Sequence, residues 1–180
     1  MSKPVALSVK EEASTITRSG YRVRYKPVTQ GLIQKAIASI KDPDPPIWEN
    51  PDKDGRKEPN PNDPEYLRTV RQNEEDRVNA ITDVMVIFGC ELLDDIPPLE
   101  EWLPQIQYLS KRNKNFNLDE FDLEDRLDLE YIFKKFVVLT ALDYVDLAQA
   151  SGVSEGGIQA AIESFPGSQE RGKDRQATQS

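Results

Sequence analysis

The sequence predicts a mainly α-helical protein: an irregular helical domain of about five or six helices, with a long proline-rich loop and disordered termini. Three observations carry that prediction. Apolar residues recur at three- and four-residue steps over segments long enough to be helices. Residues 41–64 hold seven of the thirteen prolines, which opposes regular hydrogen bonding there. Residues 166–180 contain no large apolar side chain and so cannot contribute to a packed core. The chain divides accordingly into an extended basic N-terminal arm (1–27), a helical domain (28–165) with the proline-rich loop (41–64) inside it, and a disordered C-terminal tail (166–180).

In the arm, "YRVRY" alternates so that Tyr21, Val23 and Tyr25 share one side, as in a short strand. No pairing partner is visible in the sequence, so the arm is expected to dock on something else. In "VTQGLIQKAIASI", Leu32, Ile33, Ala36, Ile37 and Ile40 fall on one helical face with Thr29 as the cap. The loop that follows has Ile47 and Trp48 as its large apolar residues, expected to pin it to a core or a partner.

A helix of about 25 residues is expected next. Asp63 caps it, Pro64 opens it, Glu65 suits its positive end, and Gly89 stops it. Tyr66, Leu67, Val70, Val78, Ile81, Val84, Met85 and Phe88 form its apolar stripe, while the polar middle "RQNEED" crosses solvent. Cys90 reads as a small packing residue. "PPLEEWLPQIQYLS" reads as a shorter helix broken or bent at Pro104. The acidic run "LDEFDLEDRLDLE" leads into "LEYIFKKFVVLTAL", whose Leu129, Ile132, Phe133, Phe136, Val137 and Leu139 cover more than one helical face and belong at the centre of the core. Thr140 and Asp143 suit the start of another helix, Gly152 stops it, and Ser154 caps a final helix to about Phe165.

Composition excludes several kinds of chemistry. The chain has no histidine, and so lacks the commonest general base and metal ligand near neutral pH. With Cys90 the single cysteine, neither an intrachain disulfide nor a thiolate cluster can form. No phosphate-cradling glycine motif, dinucleotide fingerprint or nucleophile elbow is present. The carboxylates between Asp119 and Asp125 lack the glycine and glutamate that a calcium loop needs. They suit a helix start instead. No enzymatic activity, cofactor or metal is expected, and no apolar run is long enough for a membrane helix. A soluble protein of a reducing cytoplasm is the expectation.

The stretch "LAQASGVSEGGIQAAI" places Ala148, Gly152 and Ile158 at the spacing of a DNA-binding helix-turn-helix. The same spacing packs any two helices across a tight turn: alanine permits close approach, glycine takes the left-handed conformation, and isoleucine fills the crevice. Residues 140–165 carry Asp143, Asp146, Glu155 and Glu163 but no lysine or arginine, on a chain of net charge −9. That charge opposes phosphate binding, so the motif reads as a packing device and no nucleic-acid or membrane partner is expected. The remaining chemistry is protein contact, with Tyr21, Tyr25, Ile47, Trp48, Trp102 and Tyr108 as candidate anchors.

The order of these segments carries a resemblance. The helix "VTQGLIQKAIASI", the connection "DPDPPIWENPDKDGRKEPNPNDPEYLR", a long helix ending "ITDVMVIFGCEL", and the late "LEYIFKKFVVLTALDYVDLAQASGVSEGGIQAAIESF" together resemble small proteins encoded beside the tail genes of long-tailed bacteriophages. Such proteins are described as tail assembly chaperones or tail accessory proteins. The resemblance implies a non-enzymatic protein that binds tail components, the helical tape-measure protein among them, in the host cytoplasm or in the virion. The alternative is a small helix-turn-helix-like regulator that contacts nucleic acid.

Overall fold

The computed structural model describes residues 14–50, 55–113 and 116–153. Helix accounts for 55% of these residues and strand for 13%, so the fold is helix-dominated but carries two small sheets. The chain divides into two compact units, one formed by residues up to Tyr25 together with Cys90–Thr140, the other by Lys26–Gly89 with the residues from Ala141 onward. The expected final helix and the C-terminal tail lie outside the described residues.

The first unit contains a three-stranded antiparallel sheet in the order β1-β2-β5, from β1 (Thr15–Ile16), β2 (Arg22–Tyr25) and β5 (Cys90–Leu92). The "YRVRY" strand therefore has partners on both sides, and this part of the expected arm is built into a sheet. Sequence reading missed both partners: β1 is two residues long, and β5 is three residues long and 65 positions away. Opposite charges help to set the register: Arg24 sits across from Glu91 and pairs with it at 3.1 Å. Beyond the strand end, Arg22 gives both its backbone N–H and its guanidinium Nε to the Asp94 carboxylate. Val23 is fully buried between the half-buried Tyr21 and Tyr25, as the alternation requires.

Around this sheet the unit places α3 (Leu99–Arg112), a short 3₁₀ turn (Leu118–Glu120) and α4 (Arg126–Phe133), the last continuing as a π turn (Lys134–Val138). Pro104 does not break α3. It removes only the bond to the Glu100 carbonyl, and both residues are exposed, so the loss falls on the solvent side of the helix. The acidic run serves as backbone caps: Asp125 Oδ1 accepts from the N–H groups of Leu127 and Asp128, and Asp122 Oδ1 from Glu124. Ile132, Phe133 and Leu139 are buried as expected, whereas Leu129, Phe136 and Val137 are half-buried. Lys134, inside this apolar segment, is buried too. Its ammonium donates to the Cys90 carbonyl at 2.8 Å and pairs with Glu130 at 3.1 Å, which offsets the loss of water around the charge.

The second unit contains α1 (Gln30–Ile37), a hairpin of β3 (Ile47–Asn50) and β4 (Arg56–Pro59), α2 (Pro64–Val84) with a π turn (Met85–Gly89), and α5 (Ala141–Ala150). The proline-rich segment is thus not structureless. Pro59, within β4, sits where the hairpin needs no N–H. Asn60 N–H bonds the Pro46 carbonyl, so the next pair, Ile47 and Pro59, is a non-bonded pair of the ladder. The Pro59 nitrogen therefore faces away from β3.

Thr29 takes the cap position of α1 through its carbonyl rather than its side chain. Asp63 caps α2 as expected, accepting from Glu65 N–H and Tyr66 N–H at 3.0 Å each. The polar middle of α2 is mostly exposed, but Asn73 and the next turn's Arg77 bind Lys41 O, Ile40 O and the Asp42 carboxylate. They strap the chain leaving α1 to α2. The apolar contacts between these helices join Val28, Ile33 and Val84, with Ala36, Ile81 and Val153 packed against them.

Gly89 explains the end of α2. A β-carbon there would lie 2.7 Å from Ser151 Oγ, 3.0 Å from Val28 Cγ2 and 3.3 Å from Lys26 O, so any side chain forces these neighbours apart. Gly152 has φ +76°, and the bonds from Gly152 N–H to Gln149 O and from Val153 N–H to Ala148 O form a Schellman stop on α5.

Two outcomes follow from these contacts. Gly89→Ala should destabilise the protein by about 1–3 kcal/mol in urea melts through overpacking; an unchanged midpoint refutes the close approach. The Asn73 amide and then the Arg77 guanidinium hold the Asp42 carboxyl below its ordinary pKa. A lowered folded-state pKa stabilises the fold above the free carboxylate value, and that contribution disappears as pH falls through the lowered one. Asp42→Asn should therefore melt below wild type at neutral pH and converge with it in acid below both values. A gap that persists there contradicts the charge-based account.

Candidate functional site

The six candidate anchors separate into two groups. Trp102 is 5% exposed, its Nε1 donates to the Pro97 carbonyl at 3.2 Å, and its ring packs on Phe133 with centroids 5.1 Å apart. Tyr21 meets the same Phe133 edge-on at 5.2 Å. Tyr25 is half-buried in β2, with its hydroxyl buried. Trp102 and Tyr21 thus pack on the aromatic centre of the first unit, and Tyr25 is partly covered within its sheet. Trp102 in particular is a core residue, because α3 turns its apolar stripe of Trp102 and Ile106 inward. Tyr108, on the opposite side of α3, is exposed with the Arg112 guanidinium 5.3 Å above its ring.

Ile47 and Trp48 remain at the surface, 64% and 40% exposed on β3. They do not pin the loop to a core. The hairpin is held by its own ladder, by an ion pair between Glu49 and Lys57, and by a bond from the Asn50 amide to Glu58. Neighbouring residues of a strand point to opposite faces, so Ile47 and Trp48 present one large apolar group on each side of the hairpin.

The second exposed pair escaped sequence reading. Ile87 and Phe88 are 48% and 52% exposed, although an uninterrupted α-helical period places Phe88 on the buried stripe with Val84 and Met85. The π turn explains the difference. Its bonds close five residues apart, so each residue advances by less than the roughly 100° of an α-helix. Met85 and Val86 stay buried, Gly89 rotates in, and Ile87 with Phe88 rotates out. A helix ending in five consecutive residues with no polar side chain, "MVIFG", is the one signal the sequence offered.

Of the helix-pair residues, Ala148 is fully buried on α5 and Gly152 makes the stop described above. Ile158 lies outside the described residues, so the crevice it was expected to fill is not seen. No helix among the described residues is long and apolar enough to cross a membrane. No known protein family, characterised protein or solved structure matches the chain.

The division between interior and surface aromatics has a direct test. Trp102→Ala should cost about 3–5 kcal/mol of stability, as large-to-small core changes do. Tyr108→Ala should stay within about 0.5 kcal/mol of wild type. Comparable losses for both in chemical denaturation contradict the assignment.

Proposed function

We propose that this chain is a non-enzymatic protein that acts by binding other proteins, as a bacteriophage tail assembly chaperone or tail accessory protein. The observation that carries the reading is the exposure of Ile87 and Phe88 on a turn that cannot retract them. The turn is fixed from behind by buried Met85, Val86 and Gly89, so two large apolar groups are held in water with little conformational freedom left to lose. Rigid apolar anchors of this kind suit the apolar face of a client helix. The tape-measure protein is the client that the sequence resemblance implies. The acidic charge of the whole chain favours a basic client and keeps the chaperone itself dispersed.

The role of α5 supports the protein-binding reading over the nucleic-acid alternative. Its exposed and half-buried positions carry Leu142, Asp146, Gln149 and no cation, whereas duplex binding draws on lysine and arginine contacts to phosphate.

Co-expression with a tape-measure fragment tests the proposal. Wild-type protein should co-purify with the fragment, and the double change Ile87→Ser, Phe88→Ser should reduce capture at least about tenfold, the equivalent of 1.4 kcal/mol. Circular dichroism shows whether the variant remains folded. Equal capture by the folded variant removes Ile87 and Phe88 from the interface, and tight low-salt binding to duplex DNA favours the regulator instead.

A further inference from the structure

We propose that β3 is an edge through which two copies of this chain join, β3 against β3 about a two-fold axis at Trp48, so that two hairpins become one four-stranded antiparallel sheet. This goes beyond the client-binding reading and does not depend on it. The argument starts from the ladder. Asn60 N–H bonds Pro46 O, which makes 46/60, 48/58 and 50/56 the bonded pairs and 47/59 and 49/57 the non-bonded ones. The backbone N–H and C=O groups of Ile47 and Glu49 therefore face away from β4, and β3 pairs with no third strand among the described residues. An edge with matched donors and acceptors and large apolar side chains on both faces is a template for strand addition.

The other edge of the hairpin is blunted. On β4 the outward positions are Lys57 and Pro59, and Pro59 has no N–H to give. Pairing β4 with its copy about Lys57 sets two ammonium groups opposite each other, and pairing about Glu58 sets Lys57 against that proline. The hairpin thus offers one competent edge.

The occupant follows from which strand can satisfy that edge, and β3 itself does so in one register. With Trp48 opposite Trp48 of the second copy, Ile47 and Glu49 each meet the other's outward groups, giving four backbone hydrogen bonds from two donors and two acceptors on each strand. The tryptophans fall in a non-bonded pair, where side chains come closest and aromatic pairs are favourable. Each Glu49 lies between Ile47 of the copy and its own Lys57, which neutralises it at 3.8 Å. Shifting the axis to Ile47 sets Pro45 opposite Glu49 and loses a donor, and shifting it to Glu49 sets two carboxylates face to face. A hairpin that is marginal as two strands gains the support of four.

Two four-residue strands cover less surface than a standard protein interface, so association is expected to depend on concentration in the micromolar range and above. Sedimentation of the full chain should show a monomer–dimer equilibrium. Glu49→Pro removes one outward N–H, keeps the non-bonded position, and should leave only monomer. Lys57→Pro makes the same change at the directly opposed residue of β4. The ion pair it also removes is 3.8 Å long with side chains 73% and 70% exposed, too screened to decide association, so this variant should dimerise like wild type. A wild type that stays monomeric at about 500 μM, where even a weak small interface populates the dimer, overturns the proposal, as does dissociation by Lys57→Pro with Glu49→Pro unaffected. Cross-linking provides a second reading, because Cα atoms of a non-bonded pair lie about 4.5 Å apart, within disulfide range. Under mild oxidation Trp48→Cys should give a covalent dimer, while Lys57→Cys, about three strand spacings from its copy, should not. The native Cys90 is buried and does not compete. Absence of the Trp48→Cys dimer also overturns the register. Only this chain is present in these experiments, so their failure leaves client binding untouched, and a failed client capture leaves the dimer untouched.

Discussion

The backbone approach at Gly89 is the constraint on which the second unit depends. Lys26 N–H donates to Gly89 O at 2.8 Å, and Val28 N–H reaches Ser151 O at 3.3 Å, so the chain entering α1 and the chain leaving α5 converge on one residue without a side chain. A regular α-helical end to α2 puts Phe88 inward, where its ring has no room beside Val28 and Ser151. Widening the last turn solves this by bringing the glycine in. The same rotation that permits the packing exposes Ile87 and Phe88, so the candidate binding surface is a consequence of how the core packs.

The first unit has a different centre. Phe133 is fully buried with Tyr21 on one edge and Trp102 on another, and a second aromatic run links Phe116, Phe121, Tyr131 and Phe136. The buried Lys134 beside this centre costs desolvation, which its two partners offset. Replacing such a charge with an apolar residue of similar volume is often tolerated or stabilising. Its value is then one of specificity: the ammonium fixes the π turn at the end of α4 to the Cys90 carbonyl, and an apolar contact has no comparable direction.

The proline-rich segment shows how one residue type can serve order and restraint together. Pro45 and Pro46 end the irregular approach to β3, and Pro59 occupies an outward-facing ladder position in which its missing N–H costs nothing. Natural sheets protect edges in this way. The protection here is one-sided, and the side left open carries Ile47 and Trp48. In a protein whose proposed work is to hold other chains, an edge with a defined register limits which chains can add to it.

The sequence by itself determined most of the helices, because period and caps are local: Asp63 before Pro64, the aspartates before α4, and Gly152 after α5 each satisfy backbone groups within a few residues. It also determined the alternation of β2 and the burial of Ile132 and Phe133. Tertiary structure decided what depends on distant partners. The strand "CEL" gives no signal until β2 lies beside it, the hairpin hides behind proline content, and Trp102 reads as a surface anchor until Phe133 is placed against it. Phe88 is the clearest case. Its period said buried, and the close approach at Gly89, set by residues more than 60 positions away in either direction, turned it outward, because a backbone contact that tight overrides the phase of a helix.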